Sequence, residues 1–113
     1  MGFGENTTFG DLIYSKSLDK GAAKFHATDN CVLIDIRDRE DFLKGHVPGS
    51  VNIPVDDLES DILDAAPDAD MTVYIYCYSG NKSIDAAVTL RDMGYDNAYS
   101  VGGINSYSGQ LET

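Results

Sequence analysis

The chain has 113 residues, which is room for one domain with a modest hydrophobic core. Its formal net charge of -11 comes from 19 acidic and 8 basic residues, and this argues against nucleic-acid binding, which depends on Lys and Arg neutralising phosphates. No apolar stretch approaches the length of a membrane span, and the amino terminus lacks the basic region and apolar core of a signal peptide. We therefore expect an acidic, cytoplasmic protein that binds neither nucleic acid nor membrane.

The first half of the chain predicts alternating strands and helices after a loose lead-in over residues 1–11. The run over 31–36 is continuously apolar and β-branched, which is typical of a central parallel strand. The elements predicted here are, in chain order, a short strand at 12–14, a helix from 17 to 26, the strand at 31–36, one or two helical turns at 39–44 and a turn at 46–50.

The second half continues the alternation. Residues 55–66 place Val55, Leu58 and Ile62 on one helical face, and a proline follows the predicted helix. The elements predicted here are a short strand at 51–53, the helix at 55–66, a strand at 71–76, a helix at 83–93, a last strand at 97–101 and a brief terminal segment. The alternation indicates an α/β domain with a mainly parallel sheet of about five short strands, covered by helices on both faces.

Cys77 is the most informative residue, because it stands where the 71–76 strand ends and a short loop leads into the next helix. Parallel sheets bind ligands at the carboxyl ends of their strands. A thiol at that place faces backbone N–H groups and the positive end of a helix dipole, which favour the reactive thiolate form. Cys31 begins a buried strand and is predicted to be a small core residue. A disulfide between Cys31 and Cys77 is left open, although an intracellular protein usually keeps both reduced.

Two cysteines without paired spacing argue against a metal site, and we expect neither a metal nor a cofactor. The acidic residues cluster at 56–61 and 64–70. These clusters are predicted to be solvated surface, and the alternative is a docking surface for a basic partner.

Three segments together resemble the rhodanese (thiosulfate sulfurtransferase) family. They are residues 33–37 continuing through 41–54, residues 76–83, and residues 101–104. Their order and spacing match the family's opening signature, active-site loop and closing signature. The resemblance implies a single rhodanese-like domain over 12–113 with the family's three-layer α/β fold.

The resemblance implies a sulfurtransferase in which Cys77 takes sulfane sulfur as a persulfide. The expected donor is a small anion such as thiosulfate, and the expected acceptor is a thiol, a cyanide-like nucleophile or a protein carrying a persulfide. A monomer is favoured. The expected substrate-binding loop follows Cys77 and comprises Tyr78, Ser79, Gly80, Asn81, Lys82 and Ser83.

Individual roles follow from residue chemistry. Gly80 lets the backbone curl around an anion, and Ser83 is predicted to cap the following helix. Lys82 offers a point charge where the family frequently has Arg. Asp35 and Arg37 are expected to support the loop, with Arg37 either a structural partner of Asp35 or a cation at the pocket rim.

Two alternatives accompany this prediction. Phosphatases and arsenate reductases of related fold have a larger loop with Arg six positions after the cysteine, where this chain has Ser83. The loop length and the missing Arg argue against them. The second alternative is a non-catalytic or regulatory rhodanese-like module that binds a partner. The acidic surface, and Lys82 in place of the family's frequent Arg, are compatible with this alternative.

Overall fold

The computed structural model describes residues 9–113, and within them four strands form one parallel sheet. The strands are β1 (Cys31–Asp35), β2 (Val51–Asn52), β3 (Thr72–Cys77) and β4 (Ala98–Gly103), in the order β2-β1-β3-β4. This arrangement confirms the expected α/β fold with a parallel central sheet. The carboxyl ends of β1 and β3 therefore lie side by side at one edge of the molecule, with Asp35 in register with Tyr76.

Four α-helices flank the sheet in residues 9–113: α1 (Leu18–His26), α2 (Arg39–Lys44), α3 (Leu58–Ala65) and α4 (Asn81–Asp92). Alternate residues of each strand point to opposite faces. In β1, Val32 and Ile34 join the core beneath α3 and α4, whereas Leu33 joins the core beneath α1. Both faces are buried, which explains why the strands read as continuous apolar runs. Among these residues, no helix has the length and apolar character needed to cross a membrane.

The fifth strand expected at residues 12–14 is reduced to a single parallel bridge between Ile13 and Ser100. The pairing ends there because Ser15 Oγ both donates to Ser17 O and accepts from Ser17 N–H, which turns the chain into α1. The expected loose lead-in falls mostly on residues 1–8, outside the described residues. Its last three residues belong to a 3-10 helix, Phe9–Leu12.

The helix expected over 55–66 divides into two parts. A 3-10 turn, Val55–Asp57, precedes α3. Val55 N–H donates to Ile36 O at 3.1 Å, so the start of this segment is tied to the end of β1. Val55 is consequently 39% exposed instead of buried with Leu58 and Ile62, as the helical spacing predicted.

Candidate active site

Cys77 is the last residue of β3 and lies at the carboxyl edge of the sheet. Its thiol is buried, with 3% of the residue exposed, and Sγ accepts a hydrogen bond from the Gly80 N–H at 3.0 Å. Gly80 has a φ of 101°, in the left-handed region that glycine adopts without steric cost. This conformation closes the loop in three residues, so that the N-terminus of α4 follows immediately.

Ser83 does not cap α4, which corrects the sequence prediction. The helix begins at Asn81, with Gly80 in the N-cap position and no side-chain cap. Ser83 is instead fully buried in the first turn, where its Oγ donates to Gly80 O at 2.9 Å and shares a hydrogen bond of 2.7 Å with Ser100 Oγ. Its hydroxyl therefore fastens the loop to β4.

The loop also packs closely against the end of β4. Cys77 is paired in register with Gly103, and Tyr78 O accepts a hydrogen bond from Asn105 N–H at 3.1 Å. A Cβ atom on Gly103 would lie 2.2 Å from Tyr78 O. Only glycine at this position allows the loop its observed path.

A cavity of about 190 Å³ opens over Cys77. Of the predicted loop residues, Tyr78, Ser79 and Lys82 line it together with the thiol. Asn81 is not brought to this cavity; with Gly80 it lines a second cavity, of about 240 Å³, on the other side of the loop. The predicted loop therefore contributes three side chains to the Cys77 cavity, and the Gly80 amide to the sulfur itself.

Arg37 contacts Asp35 and also lies at the wall of the Cys77 cavity. Its Nε and one terminal nitrogen donate to the Asp35 carboxylate at 2.7–3.1 Å, and the same terminal nitrogen donates to Gly45 O at 2.8 Å. Asp35 is fully buried, and its Oδ1 also accepts the Arg37 backbone N–H at 2.9 Å. Arg37 in turn lines the Cys77 cavity, whereas Asp35 lies behind it.

Sequence reasoning missed four cavity residues: Ile36, Asp38, Asp41 and Val55. The first three follow the carboxyl end of β1, and Val55 follows that of β2. The rule that ligands bind at the carboxyl ends of parallel strands, which located Cys77, also covers them. Applied to every strand, it points to the segments that follow β1 and β2, but it does not say which of their side chains reach the cavity.

Cys31 lies at the opposite end of the sheet. It pairs in register with Thr72, five residues before Cys77, so about 16 Å of strand separates the two positions. Both thiols are free, which answers the question of a disulfide. Burial raises the pKa of the Cys31 thiol to about 11, in keeping with a core residue.

His46 ties the turn at 46–50 to α2. Its Nδ1 lies 2.9 Å from Phe42 O, and its ring stacks on that of Phe42 with centroids 3.7 Å apart. Within residues 9–113, no group of three or more His, Cys, Asp or Glu side chains is placed to hold a metal ion. The Cys77 thiol lies beside an amide donor and the N-terminus of α4, in a cavity whose lining includes Lys82.

Comparison with known proteins places this geometry in context. A family model described as the rhodanese-like domain matches residues 17–110. The thiosulfate sulfurtransferase PspE of Escherichia coli is 38% identical over 71 residues, which are 63% of this chain and 68% of that protein. A tRNA sulfurtransferase of Pyrobaculum aerophilum is 41% identical over 66% of this chain but only 15% of its own length. The human single-domain sulfurtransferase TSTD1 superposes with a TM-score of 0.69 at 26% identity, over 81% of this chain and 92% of that one.

Proposed function

The chain belongs to the rhodanese-like domain family, and from this premise we propose that it is a sulfurtransferase that works through a persulfide on Cys77. Residues 12–113 form the single domain that does so. The donor is a sulfane compound such as thiosulfate, and the acceptor is a thiophilic nucleophile. Each half of the reaction is a displacement at sulfur, so one difficult transfer is split into two easier ones.

In the first half, the Cys77 thiolate attacks the outer sulfur of thiosulfate. A bond forms between Sγ and that sulfur, the sulfur–sulfur bond of the donor breaks, and its electron pair leaves with sulfite. In the second half, an acceptor thiolate attacks the outer sulfur of the persulfide. The Sγ–sulfur bond breaks, Cys77 leaves as a thiolate, and the acceptor departs as its own persulfide.

The observation that supports this cycle best is the hydrogen bond from Gly80 N–H to Cys77 Sγ at 3.0 Å. Sγ carries negative charge when it attacks the donor and again when it leaves the persulfide, and a backbone donor at a helix N-terminus stabilises such charge. The amide is fixed by the left-handed Gly80 and by the Ser83 hydroxyl beneath it. It therefore needs no rearrangement when charge develops on the sulfur.

The rest of the cavity is consistent with small sulfur compounds. Its volume of about 190 Å³ suits a ligand of a few heavy atoms above the thiol. Lys82 is exposed at its wall, where its ammonium group can attract an anionic donor. The similarity to the thiosulfate sulfurtransferase PspE and to the single-domain sulfurtransferase TSTD1 also supports sulfur transfer.

Intact mass measurement tests the proposal. After incubation with thiosulfate and desalting, we expect the wild-type protein to gain the mass of one sulfur atom and to release thiocyanate on addition of cyanide. Cys77→Ser should do neither, because the attacking sulfur is gone. Cys31→Ser is the matched control, since it removes the other thiol about 16 Å away, and it should behave as the wild type.

A Cys77→Ser protein that still gains sulfur and turns over would refute the proposed role of Cys77. A wild-type protein that gains no sulfur from thiosulfate or from a polysulfide would refute the sulfurtransferase itself. That result would favour the partner-binding module instead.

A further inference from the structure

The charges around the Cys77 cavity are unevenly placed. Its lining includes two cations, Arg37 and Lys82, and two carboxylates, Asp38 and Asp41. The Arg37 guanidinium is neutralised by the buried Asp35 at 2.7 Å. Among residues 9–113, neither Lys82, Asp38 nor Asp41 forms an ion pair.

One uncompensated cation therefore faces two uncompensated carboxylates. Asp38 lies just before α2 and Asp41 lies on it, and both are exposed, whereas Cys77 is buried. The donors that stabilise an anion, the Gly80 N–H and the N-terminus of α4, lie at the bottom beside Sγ. The floor of the cavity and Lys82 of α4 thus favour a negative sulfur donor, whereas Asp38 and Asp41 on the α2 side of the mouth favour positive charge on a molecule that lies next to them.

On the basis of the proposed function, we infer that Asp38 and Asp41 select the sulfur acceptor by charge. The preferred acceptor carries a positive charge close to its reactive thiol. When its thiolate reaches the persulfide on Cys77, the cation beside it remains at the mouth, next to the two carboxylates. A thiol flanked by a carboxylate would meet repulsion at the same place, so these residues determine specificity without taking part in the sulfur–sulfur exchange.

The test measures discharge of the loaded protein by thiols of graded charge. Wild type and the double variant Asp38→Asn/Asp41→Asn are loaded with polysulfide, desalted, and mixed with cysteamine, 2-mercaptoethanol or 3-mercaptopropionate. These acceptors bear an ammonium group, no charge and a carboxylate beside the thiol. Loss of the persulfide is followed by intact mass, and the ratio of variant to wild-type rate for each thiol cancels its intrinsic reactivity.

Compared with the ratio for 2-mercaptoethanol, we expect the ratio of variant to wild-type rate to be about two- to fivefold lower for cysteamine and higher by a similar factor for 3-mercaptopropionate, since the thiolate charge is common to all three. Higher ionic strength should reduce both effects. Asp92→Asn is the matched control. It removes the same charge at the far end of the 12-residue α4, about 17 Å along the helix, and should change none of the ratios.

A short peptide with one cysteine between two lysines separates the two sources of such a thiol. If loss of the two carboxylates slows discharge to this peptide more than discharge to cysteamine, the acceptor is a protein. If discharge to cysteamine is slowed more, the acceptor is a small aminothiol. Equal ratios for all three small thiols would overturn the inference while leaving the sulfurtransferase intact. Absence of any persulfide on Cys77 would instead refute the proposed function. Circular dichroism of each variant confirms that folding is preserved.

Discussion

Asp35 and Arg37 show how one residue pair shapes the site from behind. A carboxylate that is fully buried needs a partner and hydrogen bonds, and Asp35 receives both from Arg37. Because Arg37 also donates to Gly45 O, it links the end of β1 to the residue after α2. Arg37 is thus a positioning residue, which holds the segment bearing Asp38 and Asp41 over the cavity.

Lys82 is the cation in this cavity that no carboxylate neutralises in the described part of the chain. If it acts as a point charge, Lys82→Ala should raise KM for thiosulfate about two- to tenfold with little change in kcat, because substrate and transition state lose the same attraction. Lys82→Arg should leave KM for thiosulfate unchanged or lower it, since Arg can contact two oxygens at once. Steady-state thiocyanate formation measures both constants.

The control for this prediction is Lys20→Ala, which removes an exposed lysine from α1, away from the cavity. It should leave KM unchanged at constant ionic strength. If Lys82→Ala weakens use of an uncharged sulfur donor as much as use of thiosulfate, then Lys82 maintains the shape of the loop and does not recognise the donor.

At the scale of elements, the turn from β3 through the loop to α4 depends on the glycine that faces it. Gly103 has an ordinary extended backbone, with φ of -136°, so alanine is allowed there by its dihedral angles. Its Cβ would nevertheless lie 2.2 Å from Tyr78 O and 2.6 Å from the Ser79 carbonyl carbon. Gly103→Ala should therefore displace the loop and slow sulfur loading of Cys77 by about ten- to hundredfold.

Gly94 offers the matched comparison, because its backbone is left-handed but the space for a Cβ is open. Its φ is 106°, yet a Cβ there would meet no atom within 4 Å. Gly94→Ala should lower the free energy of unfolding by about 1 kcal/mol through backbone strain alone, with loading of Cys77 unchanged. Urea denaturation and the kinetics of mass gain separate the two effects. Normal loading by a folded Gly103→Ala protein would contradict the argument.

The elements also show where sequence reasoning succeeds. The sequence predicts α2 over its full length, because Gly45 marks the end of the helix. The predicted start of α4 lies two residues too late, because serine is a usual N-cap residue, whereas here a left-handed Gly80 leads directly into the helix. Asp38 and Asp41 were missed because their place in the cavity depends on how α2 lies over the sheet edge. That is a tertiary arrangement with no local signal.

At the scale of the whole molecule, the sheet separates two thiols of different chemistry. The carboxyl edge holds Cys77 beneath a cavity, next to loops that the strands project there. The amino edge holds Cys31, which packs with Tyr74 and Tyr99 against the α1 face of the core. The carboxyl edge can therefore accommodate polar loops, while the residues at the opposite edge pack into the core.

This packing predicts how stability depends on alkaline pH. Burial raises the pKa of Cys31 from 9.0 to about 11 and, with Cys31 and neighbouring tyrosines adding to it, that of Tyr74 from 10.0 to about 12. Burial, followed by the nearby Asp35, also raises the pKa of Tyr76. Above pH 9 the unfolded chain loses these protons before the folded protein does, so the unfolded state binds fewer protons and the free energy of unfolding falls.

These three groups therefore leave the free energy of unfolding unaffected below about pH 8 and make it decline between about pH 9 and 12. Urea denaturation at intervals of pH measures the curve. Cys31→Ser should make the decline shallower between pH 9 and 11, and Tyr74→Phe should do so between pH 10 and 12, because each removes one of the groups that titrates. Leu63→Ala is the control: Leu63 is 64% exposed and does not titrate, so this change should leave the slope as in the wild type. A decline that is the same in all four proteins would show that burial of Cys31 and Tyr74 does not set the alkaline limit of stability.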